Sequence, residues 1–343
     1  SGVDSVRGEP FDFAQDRLVE PSIGGATLRQ VKGERKIFAC ASEISGSTRN
    51  NGGEGTDCII RESFSMGPAF FGYAPANIQS RQEAAMDLGI EGRIAMVTGG
   101  SNGLGKQAAE ALAKEGCIVS ICARGPERLE AAVAELTSQG YRVHGTQADV
   151  TVEEDANRFY HETVANLGEP DILVNNVGGR RGSAVFEDTT MEQFRDGLEL
   201  NLFSAVRLMA MVLPHMKAQR WGRIVNISSI YGREHGGSID YMTGKAGLIA
   251  FSKHLALQVI PHNVLVNCIA PGSIDFPGST WERFQQNNSP EVVAEFIDRN
   301  LPAGRFGWPE PIGNMVAFLA SDRADLVAGA CINVDGGQSR SLF

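Results

Sequence analysis

Arg93-Ile-Ala-Met-Val-Thr-Gly-Gly-Ser-Asn-Gly-Leu-Gly-Lys106 is the stretch on which the fold turns. A short apolar run, Arg93 to Val97, feeds directly into Thr98-Gly-Gly-Ser-Asn-Gly-Leu-Gly105, and a helical pattern opens near Lys106. Apolar runs of this length read as buried strands, so the order is strand, glycine-rich turn, helix. In that setting the glycines let the backbone approach a pyrophosphate, whose charge is met by N–H groups at the helix N-terminus. An isolated glycine cluster is as often a plain tight turn; the strand and helix around this one favour phosphate binding.

Downstream the alternation continues. Strand-like runs fall near Ile118 to Cys122, Arg142 to Gln147, Ile172 to Val174, Arg223 to Ile227, Leu265 to Ile269 and Cys331 to Val334. Between them lie helical stretches, Lys106 to Glu115, Pro126 to Thr137, Glu153 to Asn166, Met191 to Met216, Tyr241 to Val259 and Pro309 to Leu319. Repeated βαβ units give an α/β fold, a Rossmann-type doubly wound parallel sheet of about seven strands with helices on both faces.

Upstream the pattern stops. From Ser1 to about Ala85 no period of about 3.6 or 2 is sustained, and Ser45-Gly-Ser-Thr-Arg-Asn-Asn-Gly-Gly-Glu-Gly55 offers no apolar face. Residues 1–85 therefore read as a poorly structured N-terminal extension: a regulatory or targeting segment, or translation assigned from a start too far upstream. Met86-Asp-Leu-Gly-Ile-Glu-Gly-Arg93, just before the first strand, favours the second reading and leaves 86–343 as one domain.

Composition narrows the function classes. With 42% hydrophobic and 21% charged residues the chain can bury a large core. A net charge of −10 argues against nucleic acid or an anionic membrane as partner, because both recruit clustered Lys and Arg. No run approaches the roughly 20 consecutive apolar residues of a membrane span. The cysteines Cys40, Cys58, Cys117, Cys122, Cys268 and Cys331 form no Cys-x-x-Cys pair, so no metal site is expected and reduced thiols in a cytoplasmic protein are.

Two further features bear on chemistry. The second strand ends Cys122-Ala-Arg124. An enzyme that selects NAD usually has Asp or Glu here to hold the ribose hydroxyls, and that carboxylate would repel a 2′-phosphate. Ala123 occupies the acidic position and Arg124 can pair with a phosphate, so NADP(H) is the expected cofactor, unless Arg124 is only a solvated surface side chain. Tyr241-Met-Thr-Gly-Lys245 sets a phenol and a cation four apart on one helical face. A fixed cation stabilises a phenolate and lowers its pKa from about 10, which makes the pair an acid/base candidate. Ser228 and Ser229 end the strand before it, and Asn201 is an amide in an otherwise apolar helical stretch, either a proton-relay residue or a buried irregularity.

The spacing Thr-Gly-x-x-x-Gly-x-Gly resembles that of the short-chain dehydrogenase/reductase family, and the likeness runs from Leu88 to about Gly337. It implies that Gly99, Ser101, Asn102, Gly103, Leu104 and Gly105 surround the cofactor phosphates. Asp149 and Val150 would bracket the adenine, although Asp149 also suits a helix cap. Asn176, in Asn175-Asn-Val-Gly178, would contact the cofactor; Val177 departs from the usual Ala. Pro271, Gly272 and Ile274 would orient the nicotinamide carboxamide. Asp275-Phe-Pro-Gly278 stands where relatives carry a phosphate-binding Thr, with Ser279 or Thr280 as substitutes. Asn201, Ser229, Tyr241 and Lys245 complete the family's tetrad, with Tyr241 and Lys245 also contacting the cofactor, Lys245 at the nicotinamide ribose.

The resemblance implies an oxidoreductase that reduces a ketone, 3-oxoacyl-type or other, to a secondary alcohol or runs the reverse. Alternatives are a sugar, polyol or steroid-like alcohol dehydrogenase and, from another class, an NADP-sensing binding protein without turnover. The leaning is toward 3-oxoacyl-carrier-protein reductases, so the substrate could be carrier-bound or CoA-bound; Arg220 matches one carrier anchor and His262 replaces the other. Residues 275 to about 305 form the family's lid, where Phe276, Trp281, Phe284 and Phe296 either wall the substrate or pack the lid. Tyr231, Arg233 and His235 are expected to face the pocket. Relatives commonly form a homo-oligomer, tetramer or dimer, through the helices at Met191 and Tyr241 and the last strand.

Overall fold

The structure, a computed structural model, describes residues 86–342, so the expectation for residues 1–85 lies outside the described residues. The apolar runs become β1 (Ile94–Thr98), β2 (Ile118–Ala123), β3 (Val143–Gln147), β4 (Ile172–Asn175), β5 (Gly222–Ile227), β6 (Val264–Pro271) and β7 (Cys331–Val334). All pair in parallel in the order β3-β2-β1-β4-β5-β6-β7, with β1 registered on β2 through Val97 and Ile121 and on β4 through Ala95 and Ile172. Parallel strands need helical crossovers, and these are α1 (Gly103–Lys114), α2 (Pro126–Ser138), α3 (Glu153–Asn166), α4 (Met191–Leu198), α5 (Ser204–Gln219), α6 (Ile239–Val259) and α9 (Glu310–Ala320).

Alternation along the strands feeds two cores. Ala95 and Val97 join Leu112, Leu129, Leu136, Ile312 and Val316 under α1, α2 and α9. Met96 points the other way, to Phe159, Leu208, Met209, Val212 and Leu248 under α3, α5 and α6. Each of the Val, Leu, Ile, Met and Phe side chains, buried outright, contributes about 1.5–3 kcal/mol. This is the doubly wound sheet expected from the sequence.

Two local departures matter. The stretch from Met191 is not one uniform helix: between α4 and α5 the residues Glu199–Phe203 widen into a π turn. The cause is Asn201, whose Nδ2 donates to the Gly197 carbonyl at 2.8 Å and competes with the backbone ladder. Among the described residues Met191–Gln219 is also long and apolar enough to cross a membrane by length and composition, with a mean hydropathy of 1.3. Here it covers the sheet, with Leu208, Met209, Val212 and Met216 in the core. The second departure lies between β6 and α9, where the sequence offered only a lid and the chain forms α7 (Thr280–Asn287) and α8 (Pro290–Asn300).

Candidate active site

In doubly wound sheets the crevice lies beyond the carboxyl ends of the strands, where the strand order reverses. Here the reversal is at β1, which separates β2 from β4, and a cavity of about 1150 Å³ opens there. Ligand pockets commonly run to roughly 300–1,000 Å³, so there is room for a dinucleotide and a substrate together.

At one end is the glycine turn. Gly99, Ser101, Asn102 and Leu104 line the cavity, while Gly103 and Gly105 start α1 beneath it. A side chain at Gly105 would run into the Gly99 carbonyl oxygen and the Asn176 amide, so only glycine lets turn and helix close together. No acidic residue occupies the first turn of α1, which leaves its positive end for an anion. Asn176 holds β4 to this turn: its backbone N–H donates to Thr98 Oγ1 and its side-chain amide to the Thr98 carbonyl, both at 2.9 Å. One hydrogen of its side-chain amide is thus spent on the protein, which leaves the second amide hydrogen and the carbonyl oxygen for a ligand.

Farther out, Ala123, Arg124, Arg128, Asp149 and Val150 line the cavity. Arg124 is exposed and stands 3.8 Å from Asp149, a loose pair that leaves the guanidinium available. Asp149 also closes the turn before α3, accepting from the Thr151 N–H and hydroxyl at 3.1 and 2.7 Å, so capping and cavity lining coexist. Pro271, Gly272 and Ile274 line the cavity where β6 ends. Of the two hydroxyls considered after them, Ser279 caps α7, accepting from Glu282 N and donating to Asp275, both at 2.8 Å. Thr280 is the freer one.

At the other end Ser229, Tyr241 and Lys245 converge on the cavity. α6 supplies Tyr241 in its first turn and Lys245 in its second. Lys245 is buried, and its Nζ donates to the Ile227 carbonyl at 2.7 Å. Ser228 is satisfied inside the fold, donating to the Lys245 carbonyl at 3.1 Å, whereas Ser229 Oγ accepts from the Tyr231 N–H and hydrogen bonds Tyr241. Asn201 does not reach the cavity wall. Its amide oxygen accepts from Gly179 N at 3.0 Å and its nitrogen donates to the Gly179 carbonyl at 2.7 Å, bracing the loop after β4.

The electrostatics differ from the expectation in one respect. Burial pushes the Lys245 ammonium down to about 8, offset in part by the Cys268 thiol. Tyr241 opens partly on the cavity, but protein walls that cavity on its sides, and the lost hydration pushes the phenol's pKa up. The Ser229 hydrogen bond acts the other way and does not prevail. Lys245 Nζ lies 5.8 Å from the tyrosine ring centroid. The spacing of the pair is legible in the chain, whereas this distance and the protein wall around the hydroxyl are not. At neutral pH the phenol therefore holds its proton beside a cation.

Gly178 separates Lys245 from Asn201. A methyl group there would meet Lys245 Nζ at 2.7 Å and Asn201 Oδ1 at 3.0 Å. Gly178→Ala is expected to lower kcat by on the order of 10²-fold through displacement of the ammonium, with the melting temperature little changed. Steady-state kinetics beside a thermal melt check this; unchanged kcat would mean that the gap has no role.

Several expectations need correction. Of the lid aromatics only Phe276 and Trp281 line the cavity. Phe284, Phe296 and Phe306 pack with Trp281 at centroid distances of 5.1–5.9 Å and join α7 to α8. Tyr231 lines the cavity, but Arg233 turns to β7, donating to the Cys331 carbonyl and Asn333 Oδ1, and His235 faces solvent. Arg220 and His262 sit at the amino ends of β5 and β6, a six-residue strand or about 20 Å from Ser229. A carrier held there would lie at the end of this subunit away from the site. Arg180 and Arg181 line the cavity and were missed, although two adjacent cations directly after the β4 motif were visible.

Oxidoreductases that use a nicotinamide dinucleotide bind it at this switch point with its phosphates on the first helix, and the fold and cavity define that class. The model of the family described as short chain dehydrogenase matches residues 93–288, and the chain belongs to that family. It is accordingly an oxidoreductase using NAD(P)(H). It is 37% identical to a 3-oxoacyl-[acyl-carrier-protein] reductase of Aquifex aeolicus, over 74% of this chain and 99% of the relative. It is 34% identical to a (2S)-[(R)-hydroxy(phenyl)methyl]succinyl-CoA dehydrogenase subunit of Thauera aromatica, over 75% and 99%. Among solved structures, L-sorbose reductase from Gluconobacter frateurii complexed with NADPH and L-sorbose matches with a TM-score of 0.71 at 34% identity, covering 75% of this chain and 100% of that one.

Proposed function

We propose that the chain reduces the ketone of a small molecule to a secondary alcohol with NADPH, Tyr241 donating the proton. The observation that carries this is the meeting of Tyr241, Lys245 and Ser229 in one cavity whose far end is a glycine turn on a helix N-terminus. When bound, the nicotinamide supplies the hydride to the carbonyl carbon. Ser229 hydrogen bonds the carbonyl oxygen and opposes its drift as charge develops. The Tyr241 O–H bond breaks as its proton passes to that oxygen, giving the alcohol, and Lys245 stabilises the phenolate left behind. Asn201 acts at one remove, bracing the Gly179 loop and bending the helix against which α6 packs. At neutral pH the phenol carries the proton that reduction consumes.

NADP preference rests on Ala123, on Arg124 with its loose partner, and on Arg128, which has no ion pair or hydrogen bond among the described residues. The solved L-sorbose reductase binds NADPH. Substrates named for relatives are a 3-oxoacyl carrier, a CoA thioester and a sugar, and what they share is a carbonyl or alcohol on a small molecule or thioester. Oxidation of NADPH with a panel of such ketones tests the reading; binding without oxidation of any of them would favour a sensor instead. Assembly as a homo-oligomer through α4, α5, α6 and β7 belongs to the same proposal, as does a cytoplasmic location, in keeping with the free thiols of Cys117, Cys122 and Cys268.

Two further outcomes follow. Lys245 carries its charge below about 8 and loses it above, since burial has lowered its pKa from 10.5. The kcat/KM for reduction, which reports groups of the free enzyme, should be level on the acid side of about 8 and fall as pH rises through it. A profile still flat well above that point would remove Lys245 as the required cation. We also assign the activity to residues 86–343, since 74% of this chain spans 99% of the Aquifex relative. A chain beginning at Met86 is expected to keep full activity, and a large loss would give residues 1–85 a part in it.

A further inference from the structure

We infer that the substrate carries an anionic group, a carboxylate or a phosphate, which Arg180 and Arg181 hold while its carbonyl lies at Tyr241; this rests on the ketone reduction proposed above. Both arginines are exposed and line the same cavity as Tyr241, Lys245 and Ser229. The only carboxylates lining that cavity among the described residues are Glu127 and Asp149. Both lie at the adenosine end, beside Arg124. At the reacting end the charged residues that line the cavity are Arg180, Arg181 and Lys245, with the Asp240 carboxylate buried behind the wall, in a chain whose net charge is −10.

The loop that carries the two arginines is fixed, and their side chains are not. Gly179 exchanges two hydrogen bonds with Asn201, at 3.0 and 2.7 Å. The Arg181 N–H donates to Asp240 Oδ2 at 2.8 Å, Ser183 N donates to Thr189 Oγ1 at 2.9 Å, and the Ser183 carbonyl accepts from Ile239 N at 3.1 Å. Asp240 is fully buried next to Tyr241 and points its carboxylate at this backbone. It anchors the loop from beneath and leaves the guanidinium groups on the open side. Among the described residues neither guanidinium has an ion pair or a hydrogen bond. Nearly every other arginine near the fold's core is engaged, Arg93, Arg207 and Arg223 among them. Two unpaired guanidinium groups on a braced loop lining the same cavity as Tyr241 offer planar donors suited to a carboxylate or to phosphate oxygens.

Charge-matched substrate pairs test this. The monoethyl and diethyl esters of 3-oxopentanedioate differ by one carboxylate on the same ketone. Acetoacetyl-CoA and the acetoacetyl thioester of N-acetylcysteamine share the ketone and differ by the phosphate-bearing pantoyl and adenosine part, so for this pair the arginine variants and the salt dependence separate the phosphates from the rest. The native enzyme should favour the charged member of at least one pair by about tenfold or more in kcat/KM, the difference residing in KM. The pair that responds identifies the source of the anion. R180Q/R181Q should erase that ratio and R180K/R181K restore part of it. Rising salt should shrink it in the native enzyme, a readout that needs no variant to fold. Three results would overturn the inference: no preference in either pair, a preference that survives R180Q/R181Q, or a rise in KM for NADPH with the ratios unchanged. Ketone reduction itself is read separately, from the diethyl ester with native enzyme, so loss of the charge preference would leave the proposed reaction standing.

Discussion

Tyr241→Phe is expected to lower kcat for ketone reduction by about 10²- to 10⁴-fold, the range over which a positioned proton donor acts. The substitution deletes one hydroxyl and keeps the ring that packs at the start of α6. The native phenol is pushed above its ordinary pKa and so holds its proton at neutral pH, next to the Lys245 cation. Without it the alkoxide that forms on hydride arrival has only Ser229 and solvent to turn to. NADPH binding, read by fluorescence, should survive, because the glycine turn and Arg124 lie at the other end of the cavity. A fall in kcat of less than about tenfold would mean that another group supplies the proton.

The second large effect concerns the cofactor. Ala123→Asp is expected to shift the ratio of kcat/KM for NADPH over NADH by about 10²- to 10³-fold toward NADH. Ala123 ends β2, lines the cavity and is followed by Arg124, whose nearest carboxylate is 3.8 Å away. A carboxylate at 123 would accept from the ribose hydroxyls of NADH and face the 2′-phosphate of NADPH, where like charges cost several kcal/mol. It would also engage Arg124, removing a charge-assisted contact of about 1.5–3 kcal/mol. The comparison needs only initial rates with both nucleotides. A native enzyme using NADH as well as NADPH, or an unmoved ratio in the variant, would contradict the role given to Ala123 and Arg124.

Much of this was legible in the sequence because the informative signals are local. The glycine turn, the Tyr241–Lys245 spacing and the strand that delivers Ser229 each lie within one element and its exit. Features made by contacts between distant segments were not legible. Nothing near Tyr241 in the chain indicates that its phenol rises in pKa, since the cause is a wall built from β5, α6 and the residues after β6. The loop that Asn201 braces through Gly179 lies 22 residues earlier in the chain and is adjacent only in the fold. Arg233 and His235 looked like pocket residues by position alone, and the partners on β7 that turn Arg233 aside are about a hundred residues on.

The helices α7 and α8 are a different case, because their signals were present. Ser279-Thr-Trp-Glu282 has the spacing of a capping box and Ser289-Pro290 that of an N-cap followed by proline at the first helical position. Both helices are short, and their apolar face is mostly Trp281, Phe284 and Phe296, which pack on one another and on Phe306 away from the main core. With no long amphipathic stripe the periodicity was weak, and the segment read as a lid without internal order.

Transfer of the label from NADPH deuterated at the reactive nicotinamide carbon tests the central claim most directly, with the diethyl ester of 3-oxopentanedioate as acceptor and the product examined by mass spectrometry and NMR. The expected result is one deuterium at the new carbinol carbon with native enzyme, and none above background over the same time with Tyr241→Phe. Product without the label, or labelling equally fast in Tyr241→Phe, would contradict NADPH-dependent ketone reduction with Tyr241 as the proton donor.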